Sequence, residues 1–101
     1  MALKKCCRLV LKKEKLKLAA EFSNVISEPN RLNILRLLRD GAMSVGDIWQ
    51  YLDLTQSLVS HHLKIMKNFG LLNTKRDGKS ILYSLDKQKL NRYKKLLVTF
   101  I

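Results

Sequence analysis

The stretch SVGDIWQYLDLTQSLVSHHLKIMKNFG, residues 44–70, decides the fold predicted for this chain. It holds two apolar patterns of helical period, which Asp53-Leu54-Thr55 separates. Ser44 and Thr55 are of the type that caps helix N-termini, and Gly70 is of the type that ends a helix in a left-handed conformation. The stretch therefore predicts two short helices joined by a tight turn, which is a helix-turn-helix.

The second of these helices, Gln56 to about Phe69, is predicted to have two unlike faces. The inward face holds Val59, His62, Leu63 and Met66. The outward face holds short polar or basic side chains, at Gln56, Ser57, Ser60, His61 and Lys64. Such a helix fits the DNA major groove, where Gln and Ser can bind base edges and Lys can bind a phosphate. A polar outward face is also what an ordinary soluble helix carries, so this feature alone leaves both interpretations open.

A β-hairpin is predicted directly after this helix. Residues 71–76 and 81–85 alternate in the manner of half-buried strands, and Asp77-Gly78 between them suits a type I′ turn. Basic side chains flank the turn, at Lys75, Arg76 and Lys79. Arg76 is the best candidate to reach a minor groove or a phosphate. The other interpretation of these residues is a solvated hairpin tip.

Helical patterns also lie before and after this region. The first covers about residues 3–26 and places on one side Leu9, Leu16, Ala19, Ala20, Phe22 and Ile26. The next opens at Ser27-Glu28-Pro29, is expected to end with Gly41 as a left-handed cap, and has an inward stripe of Leu32, Leu35 and Leu38, helped by Ile34. The last follows a capping Asp86, covers about residues 87–101, and carries Leu90, Tyr93, Leu97 and Ile101.

Together these elements predict one domain, residues 1–101, that is mainly α with a small β-hairpin. The order is helix, helix, helix-turn-helix (about 44–69), hairpin (about 71–85), helix, which is a winged helix-turn-helix. A chain of 101 residues builds only a modest core. Burial of further apolar surface between two copies would add stability to so small a domain.

Charge points to an anionic partner. The chain has 20 Lys and Arg against eight Asp and Glu, a net charge of +12, which favours nucleic acid or an anionic membrane surface. The excess lies at the ends, because residues 1–18 hold seven basic residues and one Glu, and residues 86–101 hold five and one Asp. A membrane-surface helix is the alternative for residues 3–26. No apolar run reaches the length of a membrane span, and the two cysteines form no disulfide framework, so we expect a cytoplasmic protein without membrane partners.

An enzyme is disfavoured by the sequence. It has no Gly-rich phosphate loop, no motif around a nucleophilic Ser, and no clustered acids. The runner-up to a DNA-binding regulator is a winged helix that serves as a protein-interaction module without sequence-specific DNA binding.

Four segments resemble the ArsR/SmtB family of transcriptional regulators. They are EPNRLNILRLL (28–38), SVGDI (44–48) followed by LTQSLVSHHLK (54–64), GLL (70–72) and RDGKSILYSL (76–85), so the resemblance spans about residues 25–86. It implies a homodimeric repressor that binds an imperfect inverted repeat in double-stranded DNA and leaves it when an effector binds. It also implies that the first and last helices, about 3–26 and 87–101, form the dimer interface.

For the effector, the sequence leaves several possibilities open. Metal-sensing relatives carry Cys in the first helix of the helix-turn-helix or Asp and His along the last helix, and this chain lacks both patterns. Cys6 and Cys7 could bind a metalloid such as arsenite or be oxidised, since nearby Lys and Arg favour thiolates. Related arsenic sensors add a third Cys that is absent here, so two ordinary thiols, another ligand or partner, and no effector at all remain open. Adjacent His61 and His62 point about 100° apart on a helix and cannot chelate one ion; we expect His61 to face DNA and His62 to be packed and hydrogen-bonded.

Overall fold

The computed structural model describes the backbone of residues 2–101 and the side chains of residues 12–101. The side chains of Cys6 and Cys7 lie outside the described residues. Along the chain the elements are α1 (Ala2–Ile26), α2 (Pro29–Leu38), β1 (Met43–Ser44), α3 (Val45–Leu52), α4 (Gln56–Phe69), β2 (Leu72–Asp77), β3 (Ser80–Leu85) and α5 (Lys87–Phe100).

Side-chain caps determine where four of the helices begin. The side chains of Glu28, Ser44, Thr55 and Asp86 each accept a hydrogen bond from the backbone N–H three residues later, at 3.0–3.2 Å. Each bond satisfies a donor that has no partner inside its helix. The helix starts predicted from the sequence are therefore confirmed for α2, α3, α4 and α5.

The helix ends follow the prediction only in part. Gly70 ends α4 with φ +97, as predicted, and Asp53 closes α3 in the left-handed region with φ +53. The prediction for α2 is wrong, because Arg39 caps it in the right-handed conformation and Gly41 lies two residues further on. The Arg39 N–H still bonds the carbonyls of the last turn, so no left-handed residue is needed there.

One apolar core joins the helices and the sheet around α4. Its fully buried side chains are Phe22, Ile34, Leu38, Ile48, Val59, Leu63, Met66 and Leu71. The predicted inward stripe of α2 is wrong at Leu32, which is exposed; Leu16, Ala20 and Ile101, predicted on the apolar sides of the first and last helices, are exposed in the single chain. In α2 the face that packs inward is Ile34, Leu35 and Leu38, which leaves Leu32 49% exposed.

The sheet has one strand more than the predicted hairpin. Met43 and Ser44 pair with Tyr83 and Leu82, so the strand order is β1-β3-β2, all antiparallel. The turn also differs, because Asp77 pairs with Ser80 and the two-residue loop is Gly78-Lys79. Gly78 has φ +61 and Lys79 has no positive φ, whereas a type I′ turn needs positive φ at both positions. The predicted type I′ turn is therefore wrong, and the pattern is that of type II′.

Within the part of the chain that the structure describes, no helix has the length and apolar character needed to cross a membrane.

Candidate nucleic-acid interface

The helix α4 has the two faces that its sequence predicts. Val59, His62, Leu63 and Met66 are buried against the core. The side chains on the opposite face are all exposed, at Gln56, Ser57, Ser60, His61 and Lys64. Three of them are neutral hydrogen-bonding groups of Gln and Ser, so this surface can donate to and accept from base edges.

The helix α3 and the turn after it hold α4 with its N-terminus outward. Ile48 of α3 is fully buried beneath α4, and Asp53 turns the chain within three residues. Thr55 then caps α4 and leaves the exposed residues Gln56 and Ser57 in its first turn. The first N–H groups of a helix lack internal partners and carry a partial positive charge, so this end is suited to a phosphate.

The hairpin β2–β3 follows α4 directly and presents cations. Lys75, Arg76 and Lys79 are all exposed, as are all residues from 73 to 81. Because side chains alternate along a strand, Lys75 shares a face with Asp77, whereas Arg76 lies on the other face opposite Ile81. Arg76 is therefore the cation of β2 that has no acidic neighbour on its own face of the strand.

The cations of this surface form no ion pairs with acidic groups among the described residues. Among the described side chains, the one contact at ion-pair distance joins His62 and Glu28, it is ionic only if His62 is protonated, and no Lys or Arg is paired with an acidic group. Lys64, Lys75, Arg76 and Lys79 therefore keep their charges available to an external anion. Exposed cations of this kind are the groups that bind the phosphate backbone of nucleic acids.

His62 is buried in a polar network behind the exposed face. It is 5% exposed, its Nδ1 accepts from Arg31 Nε at 3.2 Å, and its Nε2 lies 3.5 Å from Glu28 Oε2. The prediction that His62 is packed and hydrogen-bonded is confirmed. Burial lowers the pKa of His62 below the ordinary histidine value, and the cation of Arg31 acts in the same direction, while Glu28 opposes it.

Sequence reasoning missed Arg31 and Glu28 as partners of this histidine. A histidine on an inward helix face signals that polar partners must exist, because buried polar groups are hydrogen-bonded. Nothing in the pattern says which residues supply them, since Arg31 is 31 positions away in the chain.

The described side chains offer no evident metal site. Among them, no group of three or more His, Cys, Asp or Glu is arranged to hold a metal ion. Both ring nitrogens of His62 face protein groups, which is a further reason why His61 and His62 do not share an ion. The effector residues predicted from the sequence, Cys6 and Cys7, have side chains outside the described part.

Comparison with known sequences points to one family. The family model described as bacterial regulatory protein, arsR family, matches residues 28–74. The HTH-type transcriptional regulator NmtR of Mycobacterium tuberculosis is 43% identical over 66 residues, which cover 65% of this chain and 55% of NmtR. The transcriptional repressor SdpR of Bacillus subtilis is 37% identical over 76 residues, which cover 75% of this chain and 84% of SdpR. The chain thus matches little more than half the length of NmtR but most of SdpR.

Solved structures share the fold. Reduced HlyU from Vibrio cholerae superimposes with a TM-score of 0.73 at 28% identity, covering 87% of this chain and 93% of HlyU. The homodimeric winged helix-turn-helix DNA-binding domain of Mb0332 from Mycobacterium bovis gives a TM-score of 0.72 at 25% identity, covering 87% of this chain and 82% of that one. In fold the chain is a winged helix-turn-helix.

Proposed function

The chain belongs to the ArsR family of DNA-binding transcriptional regulators, and on that premise we propose that it is a cytoplasmic, homodimeric repressor that binds an imperfect inverted repeat in double-stranded DNA. Members of the family regulate transcription and are not enzymes. The observation that carries the proposal is the exposed polar face of α4, which continues along the chain into the exposed cationic hairpin. The name of SdpR as a repressor supports the direction of regulation.

The two parts of this surface have different roles. We assign base contacts in the major groove to Gln56, Ser57, Ser60 and His61, because they are exposed hydrogen-bonding groups in the first turns of α4. We assign backbone or minor-groove contacts to the cations Lys64, Lys75, Arg76 and Lys79. Phosphate contacts set affinity and register, whereas base contacts set sequence preference.

The dimer would form through α1 and α5. Exposed apolar side chains lie on α1 at Leu16 and Leu18, on α5 at Val98, and directly after α5 at Ile101. The helices α1 and α5 also border an apolar groove of about 410 Å³, to which α2 contributes Leu32 and Leu35. Contiguous exposed apolar surface marks an interaction site. The homodimeric state of the Mb0332 domain supports a second copy as its occupant.

The test is fluorescence anisotropy on labelled DNA from upstream of the protein's own gene, with a scrambled duplex at the same salt concentration. We expect the native duplex to bind tighter by orders of magnitude, and Ser57→Ala with Ser60→Ala to abolish that preference. Ser27→Ala, an exposed serine between α1 and α2, is the matched control and should leave the preference for the native duplex unchanged. Equal, salt-sensitive binding to both duplexes would indicate phosphate-driven affinity only. Absence of binding at low salt would overturn the proposal in favour of a protein-interaction module.

For the effector we propose the vicinal thiols Cys6 and Cys7. The neighbouring cations Lys4, Lys5 and Arg8 favour the thiolate form of these cysteines, which binds metalloids and is readily oxidised. Arsenite or a mild oxidant should then weaken DNA binding, and the double change Cys6→Ser with Cys7→Ser should remove that response. A response that survives the double change would exclude this pair as the effector site.

A further inference from the structure

His62, Arg31, Glu28 and the carbonyl of Val25 form a buried polar group that we call the His62 joint. We propose that Arg31 and Glu28 are positioning residues, which keep the recognition helix α4 in its DNA-binding position through their contacts with His62. These contacts persist only while His62 is neutral. The inference rests on the proposed DNA binding and adds a means by which acid would weaken it.

The joint ties three helices together. The guanidinium of Arg31 donates from Nη1 to the Val25 carbonyl at 3.1 Å and from Nε to His62 Nδ1 at 3.2 Å. The Val25 carbonyl lies in the last turn of α1, where carbonyls have no partner inside the helix. A single side chain of α2 thus connects the end of the proposed dimerisation helix to the middle of the recognition helix.

The hydrogen bonds define the tautomer of His62. Because Nδ1 accepts from Arg31, it carries no proton, and the neutral ring holds its proton on Nε2. Nε2 lies 3.5 Å from Glu28 Oε2, so the carboxylate is beside this side of the ring. The same Glu28 oxygen caps α2 by accepting from the Arg31 N–H at 3.0 Å.

Protonation of His62 is incompatible with this arrangement. The added proton would sit on Nδ1 and point at the Nε–H of Arg31, so two donors and two positive charges would face each other across 3.2 Å. Arg31 would have to leave His62. The contact of Arg31 with α1 would be disturbed in the same event, because one guanidinium makes both bonds.

The charged groups that act on His62 come from two helices. From the start of α2, Glu28 favours the charged ring and Arg31 opposes it; from α4, His61 also opposes it. Burial disfavours the charged form of His62 most. Together with Arg31 and His61 it outweighs Glu28, so the pKa of His62 lies below the ordinary histidine value. The joint is therefore intact at neutral pH and opens on acidification.

The experiment must separate His62 from its neighbour. His61 is the adjacent histidine and is exposed on the face proposed to meet DNA, so its contribution to DNA binding has to be removed before that of His62 is measured. We therefore take His61→Asn as the parent, whose own affinity at neutral pH is the reference because His61 is among the proposed base contacts, and add His62→Asn. The Asn Oδ1 can occupy the position of Nδ1 and accept from Arg31, but it does not titrate.

In the parent we expect DNA affinity to fall by up to about tenfold between about pH 7.5 and about pH 5, as expected when a charge-assisted hydrogen bond is lost. With His62→Asn added, the fall should shrink to about twofold or less. Glu28→Gln keeps an oxygen that can cap α2 but removes the charge that favours imidazolium, so it should move the fall to lower pH. Circular dichroism at both pH values checks that each variant is folded. A parent without the fall, or a double variant that keeps it, would overturn the proposal.

A readout without DNA tests the joint itself. In ¹⁵N NMR of the free protein at neutral pH, His62 should show the Nε2–H tautomer. Arg31→Met should raise the pKa of His62, because a neighbouring cation is removed. The opposite tautomer would overturn the joint whether or not the protein binds DNA. If the tautomer is as expected and DNA binding is absent at every pH, the proposed function is at fault, and the positioning role fails with it.

Discussion

The ring of Tyr93 in α5 stacks on the ring of Phe22 in α1, with centroids 5.3 Å apart and an interplanar angle of 17°. Tyr93 also lies 4.8 Å from the ring of Phe69, the last residue of α4, and its hydroxyl donates to the Phe69 carbonyl at 3.5 Å. This aromatic cluster joins both end helices to the end of the recognition helix. The position of α5 therefore affects α4 directly.

Removal of the Tyr93 ring should destabilise the protein far more than removal of its hydroxyl. Tyr93→Ala should lower the free energy of unfolding by about 2–3 kcal/mol, since a half-buried ring and two aromatic contacts are lost. Tyr93→Phe should lower it by less than about 1 kcal/mol, because the hydrogen bond is long. Urea unfolding at one protein concentration measures both. Similar losses in the two variants would contradict the role given to ring stacking.

Stability should fall with acid because of His62. Its pKa is lowered in the folded protein, so below about pH 6.5 the unfolded chain binds more protons than the folded one. The resulting stability is present above about pH 6.5 and is lost as pH falls through the folded pKa. Urea unfolding between about pH 8 and about pH 5 should show this loss in the wild type and in His61→Asn. The loss should be absent in His62→Asn, and its persistence there would assign it to another group.

Salt dependence should separate phosphate contacts from base contacts. Arg76→Ala should weaken binding to the native and the scrambled duplex alike and reduce the slope of log affinity against log salt by about one. Ser57→Ala should weaken only the native duplex and leave the slope unchanged. Lys95→Ala, an exposed cation on α5, is the control for total charge. An Arg76→Ala slope equal to that of Lys95→Ala would place Arg76 outside the interface.

Two glycines should respond to alanine with opposite signs. Gly70 has φ +97, a conformation that alanine adopts with strain, so Gly70→Ala should cost about 1 kcal/mol. Gly46 lies in the first turn of α3, and the nearest atom to an added Cβ is 3.8 Å away. Gly46→Ala should therefore be neutral or stabilise by up to about 1 kcal/mol. Thermal unfolding measures both changes. A Gly70→Ala protein as stable as the wild type would contradict the strain expected at a left-handed cap.

A charge placed in the proposed dimer surface should separate the subunits. Val98 of α5 is 66% exposed in the single chain, so Val98→Glu should leave the fold intact and weaken dimerisation by about tenfold or more. Ile81→Glu, at a similarly exposed apolar residue of the hairpin, should not change the dimer. Sedimentation over a range of protein concentrations measures both. An unchanged dimer in Val98→Glu would move the interface elsewhere.

The exposed surface that holds the candidate site agrees with the sequence where its signals are local. Thr55 and the alternation of polar and apolar residues along α4 lie within one helix, and its exposed face is the face that the sequence predicts. The cations of the hairpin were found for the same reason, because they flank a turn that composition reveals. The turn type was missed, because the residues that form the loop depend on the pairing of Asp77 with Ser80.

By itself the sequence determined the order of elements, the helix starts and the two faces of the recognition helix, because capping and periodicity act between residues three or four apart. Only the tertiary structure decided that Met43 adds a third strand beside Tyr83, that Leu32 faces outward, and that Arg31 meets His62. These relationships join residues about 30 or more positions apart, or depend on which side of a helix a neighbour covers. They follow from how the helices pack, which no local pattern specifies.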